Sequence, residues 1–420
     1  MTSDTREIDR TPAAAPTPMT GSLSLFAMLS ALYFAQGLPS GLIAKALPPL
    51  LRDQGVSLSV IGFTSALALP WALKFAWAPF IDRFGSRKRW LLALNCLTMG
   101  LMLLVASHDI TAWIAALPWL LAVLFCMNIV SATQDIATDG YAVSTLKPAW
   151  RGLGNSIQVV GYKLGMVVGG GALLWLTARH GWQASYAGLA CLMLLVILPV
   201  LFMKDATAGE RQAATHAQWQ GMGGYIRLFR EFVLRPGVGW WLLTVALYKF
   251  GDSLGSRMTG PLLSDSGYSL ADIGLITGSA GATTGLLGAF VGGATLLRLG
   301  RLPALLGFGA LQALGLAGFF LVAGGLHDLY LLTAIVYFEQ FADGLSTVAL
   351  FTIMMDRCRP QSPGTDYSLQ ASLQVLVAGV AALCGGLLTE RFGYSAVFAI
   401  AAALTLLALV PAIISFRATR

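Results

Sequence analysis

Residues 49–62 read PLLRDQGVSLSVIG and residues 261–274 read PLLSDSGYSLADIG, with nine of fourteen positions identical at an offset of 212 residues. Two shorter pairs keep the same order: Ala31-Leu32-Tyr33 against Ala246-Leu247-Tyr248, and Gly181-Trp182 against Gly393-Tyr394. Turn residues recur by chance in any chain, but three matches in the same order at offsets of 212 to 215 residues mark an internal duplication. Working outward from them, the chain divides into two related halves, residues 22–203 and 238–416, joined by a polar stretch over 204–237.

Of the 420 residues, 56% are hydrophobic and 11% are charged, where an ordinary globular domain carries roughly 25% charge. So few charges cannot cover the surface of a soluble protein of this length, whereas lipid lets apolar side chains face outward. A spanning helix needs about 20 mostly apolar residues. Such runs fall near 22–46, 58–80, 89–107, 113–141, 154–178, 182–203, 238–260, 271–297, 303–325, 328–356, 367–389 and 393–416. The expected fold is an all-α membrane protein with twelve transmembrane helices in two pseudo-symmetric six-helix bundles. In carriers duplicated this way the substrate site lies between the halves near the bilayer midplane.

The charges between the spans are sorted by side. Arg83, Arg87, Lys88, Arg89, Lys147, Arg151, Arg298, Arg301, Arg357 and Arg359 fall in loops of one face, while loops of the other hold only Arg52, Arg179 and Arg391. Basic loops stay in the cytoplasm, so both termini are expected there. The net charge of +7 is spread over these short loops and does not describe a nucleic-acid surface. Residues 1–21 read as a disordered cytoplasmic tail without a cleavable signal. Residues 204–237 read as a cytoplasmic linker holding a short amphipathic helix, with His216 solvated. The cysteines, Cys96, Cys126, Cys191, Cys358 and Cys384, are too scattered for a disulfide framework or a zinc site. No phosphate loop, zinc-binding His pair or nucleophile elbow is present, so neither an enzyme nor a bound cofactor is expected. The expected partners are the bilayer, a small-molecule solute and protons, with a monomer as the working unit.

An ionisable group within a span costs at least about 2.5 kcal/mol near the bilayer centre, so each one requires a reason. Lys45, Lys74, Asp135, Asp139, Lys163, Lys249, Asp252, Arg257, Glu339 and Asp343 all fall inside spans. Asp135 with Asp139, and Glu339 with Asp343, are spaced by four residues, which puts each pair on one helix face. Two carboxylates that close favour taking up a proton. Lys74, Lys163, Lys249 and Arg257 are the cations expected to neutralise or orient these acids, with Asp252 beside them. The plainer reading is a set of buried ion pairs that hold helix registry, and Lys45 and Arg257 sit where they can snorkel. Tyr33, Gln36, Asn128, Gln134, Gln158, Tyr162, Tyr248, Gln370 and Gln374 are placed to line a cavity. Aromatic and amide groups suit a medium-sized amphipathic solute better than a bare ion.

Between the second and third spans the chain reads APFIDRFGSRKR over 78–89. This resembles the Gly-x-x-x-Asp-Arg-x-Gly-x-Arg-Lys signature of the major facilitator superfamily, with Ala78 in place of the usual Gly. Gly85 suits a tight turn, the cations suit a cytosolic lipid surface, and Asp82 can brace a neighbouring helix end. The resemblance implies a conformational latch at Asp82, Arg83, Gly85, Arg87 and Lys88. The second-half copy, GATLLRLGR over 293–301, has Leu297 in place of the acid, which leaves Asp82 as the expected latch acid.

Four further stretches, QGLP (36–39), KFAWAP (74–79), SATQDIATD (131–139) and GYKLGM (161–166), are similar to the peptide, acetyl-CoA and drug transporter branch of that superfamily. It includes AmpG-type muropeptide permeases and RhtX/FptX-type siderophore transporters, and the compact twelve-helix form looks more like the latter. The resemblance implies a proton-coupled transporter of the bacterial inner membrane that imports a pyochelin-like ferric siderophore by alternating access. The alternative is a muropeptide permease, or an exporter of siderophores or drugs.

Overall fold

The computed structural model of the protein describes residues 20–203, 221–268, 273, 276–277, 281–325 and 328–418. The tail over 1–19 and the part of the linker over 204–220, His216 included, lie outside the described residues.

Among the described residues the helices group into twelve spans in two bundles. Helix α1 covers 20–53, with a π-helical stretch at Leu42–Ala46 before its last segment, Leu47–Asp53. Helix α2 covers 58–83 as a series of short α and 3-10 pieces. Helix α3 is Arg87–Ala106, α4 is Leu117–Thr145, α5 covers 151–180 and α6 covers 182–201. In the second half, α7 comprises Val238–Tyr248 and Phe250–Asp265, α8 is described over Gly281–Leu299, α9 is Arg301–Ala323 and α10 is Leu329–Arg357. Helices α11 and α12 occupy 363–392 and 394–417. A linker helix, Gly221–Val233, precedes α7. Among the described residues, seven helical stretches are long and apolar enough to cross a membrane, and two of them, 148–201 and 363–417, are pairs folded back at one residue. The other spans, α2, α7 and α10, carry breaks or buried charge.

Those single-residue folds are at Gly181 (φ 80°) and Gly393 (φ 79°), equivalent positions of the repeat. A left-handed backbone of this kind is open to glycine and strained for other residues. Gly55 and Gly267 also share a positive φ at matching turns, so the duplication extends to the backbone. Helix starts follow local chemistry: Asp328 Oδ1 accepts the Leu331 amide at 2.8 Å to open α10, and Ser86 Oγ accepts that of Arg89 at 3.3 Å to open α3.

Glycine seams bring helices within backbone contact. A Cβ on Gly165 of α5 would lie 2.1 Å from the Phe34 carbonyl of α1, and one on Gly288 of α8 would lie 2.1 Å from the Phe341 carbonyl of α10. Without a hydrophobic drive between helices in lipid, such close packing is what holds them together. Outward faces are apolar, with Trp119, Leu195, Leu383 and Leu387 exposed as a lipid solvent allows.

The apolar core is shared unequally. One cluster runs through both halves, joining Tyr33, Tyr141 and Val159 to Leu345, Met354 and Tyr367. It lies toward the face carrying Arg83, Lys147, Arg301 and Arg359, the basic face. Toward the opposite face the cores separate, one around Leu47, Leu51, Trp113 and Trp182 and others around Leu263, Phe319 and Phe398. The halves therefore close against each other on the basic face.

Two spans depart from expectation for reasons of proline. Helix α1 reaches Asp53 rather than ending near 46, because Pro48 and Pro49 fall in the first turn of Leu47–Asp53, where a missing N–H has no partner to lose. Helix α2 is fragmented because Pro70 and Pro79 each restart a helical piece.

Candidate functional site

Both buried lysines stand at helix breaks. Helix α2 loses its α geometry at Lys74–Ala76, and Lys74 Nζ pairs with Asp135 of α4 while lying 3.9 Å from Asp139 Oδ2. The four-residue spacing thus delivers both carboxylates to one ammonium. Asp139 Oδ1 accepts the Tyr33 hydroxyl at 2.9 Å and the Gln158 amide at 3.1 Å, while Oδ2 has no hydrogen-bond donor among the described residues. Tyr367, from α11 in the other half, reaches Gln158 Oε1 at 3.5 Å.

In the second half α7 breaks at Lys249. Its ammonium donates to Asp343 Oδ1 at 2.5 Å, Ser346 Oγ at 2.7 Å and Gln312 Oε1 at 3.1 Å, with Asp252 Oδ2 at 3.9 Å. Glu339 is buried one turn before Asp343 and accepts only the Gln340 amide, at 2.9 Å, leaving its other oxygen without a donor among the described residues. Lys163 of α5 crosses between the halves and comes within 3.8 Å of Asp343 Oδ2.

Magnitudes separate these contacts. Breaking a buried pair costs about 3–5 kcal/mol because a charge is left unmatched, so Lys74–Asp135 and Lys249–Asp343 hold helix positions. The Lys163 side chain is 34% exposed, and a pair reached by solvent contributes about 1 kcal/mol or less. A ligand can replace that contact with the least loss.

Most of the expected lining residues surround the first cluster. Gln36 Nε2 donates to Thr138 Oγ1 at 2.7 Å, Gln134 Nε2 to Asn95 Oδ1 at 3.3 Å, and Trp71 Nε1 to Asn128 Oδ1 at 3.1 Å. The Tyr162 ring meets Trp71 edge-on at 6.1 Å. Tyr248 and Gln370 are placed elsewhere: the Tyr248 hydroxyl donates to the Leu305 carbonyl at 2.7 Å, and Gln370 Oε1 accepts Trp241 Nε1 at 2.6 Å. Both are saturated inside the second bundle. Gln374 is half-buried on α11. Arg257 is exposed about two turns beyond Lys249 and forms no ion pair among the described residues. Lys45 is likewise exposed, its stem against Gly170.

On the basic face Asp82 joins the halves. Its Oδ2 accepts the Thr365 amide at 2.7 Å and hydroxyl at 2.8 Å, and its Oδ1 accepts the Gly364 amide at 3.3 Å. A carboxylate of the first half therefore caps α11 of the second, where amides and helix dipole favour negative charge. Arg87 holds it from the other side at 3.1 Å and donates to Ser144 at 2.7 Å. Lys88 donates to the Leu201 carbonyl at 2.5 Å, Arg83 lies over the Phe84 ring, and Gly85 turns the loop with φ 72°.

Asp82 is not the sole acid in such a position. Asp356, closing α10, accepts Arg151 of the first half at 2.8 Å and Arg301 of the second at 2.6 Å. The second half, with Leu297 in its copy of the loop, thus has an acid at the end of α10 that pairs with cations of both halves. Asp356 carries no mark in the sequence, because it lies at a span end beside Arg357, where an acid reads as local charge balance.

The sequence matches the Major Facilitator Superfamily over residues 29–382. The chain belongs to this superfamily. It is 31% identical over 386 residues to the anhydromuropeptide permease of Escherichia coli (strain K12), covering 90% of this chain and 77% of that protein. In fold it is similar to the proton:xylose symporter XylE, with a TM-score of 0.69, 15% identity and coverage of 93% and 94% of the two chains. It is also similar to a bacterial homologue of the iron transporter ferroportin in an outward-facing state, with a TM-score of 0.69, 17% identity and coverage of 94% and 99%. As a major facilitator protein the chain is a multi-pass membrane carrier. Of the two branches its motifs resemble, the muropeptide permeases are matched, and siderophore import finds no support in these similarities. The match covers 77% of that permease, so chain length does not separate the two branches.

Proposed function

We propose that this chain is a proton-coupled importer of anhydromuropeptides, acting in the bacterial inner membrane by alternating access with its basic face in the cytoplasm. The observation that carries the reading is the 31% identity to an anhydromuropeptide permease over 90% of the chain. The two polar clusters support it, since a sugar-linked peptide offers hydroxyls, amides and carboxylates to match them.

In this reading a substrate enters from the face opposite the basic loops, and one of its carboxylates takes Lys163 from Asp343. That exchange loosens a link between halves without uncovering a fully buried charge. Asp139 is the proton acceptor: its Oδ2 has no hydrogen-bond donor among the described residues, and Lys74 keeps Asp135 as partner when Asp139 is neutral. The basic-face contacts at Asp82 and Asp356 then release, and the halves rock about the bound solute.

Proteoliposomes holding the purified protein, loaded at high pH and diluted into acidic buffer with radiolabelled anhydromuropeptide, test the reading. Accumulation above protein-free vesicles that a protonophore abolishes is expected. Uptake no greater than in protein-free vesicles would refute the substrate assignment.

A further inference from the structure

On the basic face, where α7 and α9 begin and α10 and α12 end, a cavity of about 610 Å³ is lined by Arg235, Arg301, Ile353, Asp356, Arg357 and Phe416. Its charges do not balance. Asp356 is already divided between Arg301 and Arg151. Arg235 and Arg357 stand together, Arg235 Nη1 donating to the Arg357 carbonyl at 3.1 Å, and no carboxylate pairs with either among the described residues. Arg357 Nη2 meets the Ser415 hydroxyl at 3.3 Å, and its guanidinium lies 5.6 Å from the Trp241 ring centre and 5.1 Å from that of Phe416.

Two neighbouring guanidiniums repel each other unless an anion joins them, and their planar forks match phosphate oxygens. Stacking on Trp241 and Phe416 holds one fork in place before any ligand arrives. Exposed Leu234 directly precedes Arg235, and exposed Trp240 lies in the first turn of α7 five residues after it, giving apolar surface near this end of the chain segment. Basic cavities between transmembrane helices on the cytoplasmic side take anionic lipid headgroups.

We propose that this cavity is a binding site for a phosphate-bearing anion, occupied by the headgroup of an anionic phospholipid whose acyl chains lie against Leu234 and Trp240. Because Arg301 lines the cavity and also holds Asp356, occupancy bears on a contact that joins the halves.

The test uses the full-length protein in neutral detergent, with its thermal midpoint followed during titration with phosphatidylglycerol, phosphatidylcholine or inorganic phosphate. Phosphatidylglycerol is expected to raise the midpoint saturably and phosphatidylcholine to leave it unchanged. In Arg235→Gln and Arg357→Gln the half-saturation point moves upward by about tenfold, the loss of a charge-assisted bond. Arg227→Gln, on the linker helix, titrates as the parent. A response to inorganic phosphate as strong as to the lipid assigns the cavity to free phosphate, still as an anion site. No response to either anion overturns the proposal, as does an unchanged titration in Arg235→Gln, whose exposed side chain can be replaced without opening the core if Arg357→Gln does not fold.

Discussion

Lys163 and Asp343 approach to 3.8 Å although they belong to different halves of the molecule. Asp343 is at the same time bound by Lys249 at 2.5 Å. One carboxylate thus divides itself between a fixed cation of its own bundle and an accessible cation of the other.

Replacing Lys163 by Gln removes the accessible member and leaves Lys249 to neutralise Asp343. Half-saturation for anhydromuropeptide uptake is expected to rise by about tenfold, one charge-assisted contact, with unchanged membrane insertion. Uptake at the parental half-saturation would show that the substrate never meets Lys163.

Asp139→Asn keeps the shape of the first cluster and removes its titratable oxygen. The variant is expected to exchange labelled for unlabelled substrate across a membrane yet fail to accumulate it against a gradient. Uphill accumulation at the parental level would make Asp139 a structural residue only.

Asp82→Asn retains one acceptor for the α11 amides but loses the charge that Arg87 balances. Leaving that arginine buried and unmatched costs about 3–5 kcal/mol, on the face that holds the halves together. Alkylation of Cys358, half-buried on that face, is expected to accelerate several-fold in a background lacking the other cysteines. An unaltered rate would mean that Asp356 suffices to keep this face shut.

Gly165→Ala places a methyl against the Phe34 carbonyl, whereas Gly188→Ala meets open space. Overpacking of this kind costs about 1–3 kcal/mol, so the first variant should melt several degrees lower and the second should match the parent. Equal melting temperatures would argue that α1 and α5 separate without penalty.

The architecture was largely legible in the residues, because span length, the sorted Lys and Arg, and the repeat at 49–62 and 261–274 are each written in one dimension. Pairings across helices were legible only in part. Spacing by four brought Asp135 and Asp139 to one face, but which lysine they meet depends on the break at Lys74. Tyr248 and Gln370 looked like cavity groups because a polar residue in a span carries no mark of whether it faces a chamber or a neighbouring carbonyl. Asp356 went unseen since its partners, Arg151 and Arg301, come from distant segments. Chain length points to the wrong substrate branch because it says nothing about the solute.

A helix pair folded at one residue has no slack. Gly181 and Gly393 tie α5 to α6 and α11 to α12 so tightly that neither partner can slide along the other. A pull on Lys163 in α5 or on Thr365 in α11 must therefore be passed whole to a lipid-facing neighbour. In the rocking motion proposed above each half turns as a lever, and the rim opposite the basic loops keeps these two short corners while the rest of the mouth changes shape.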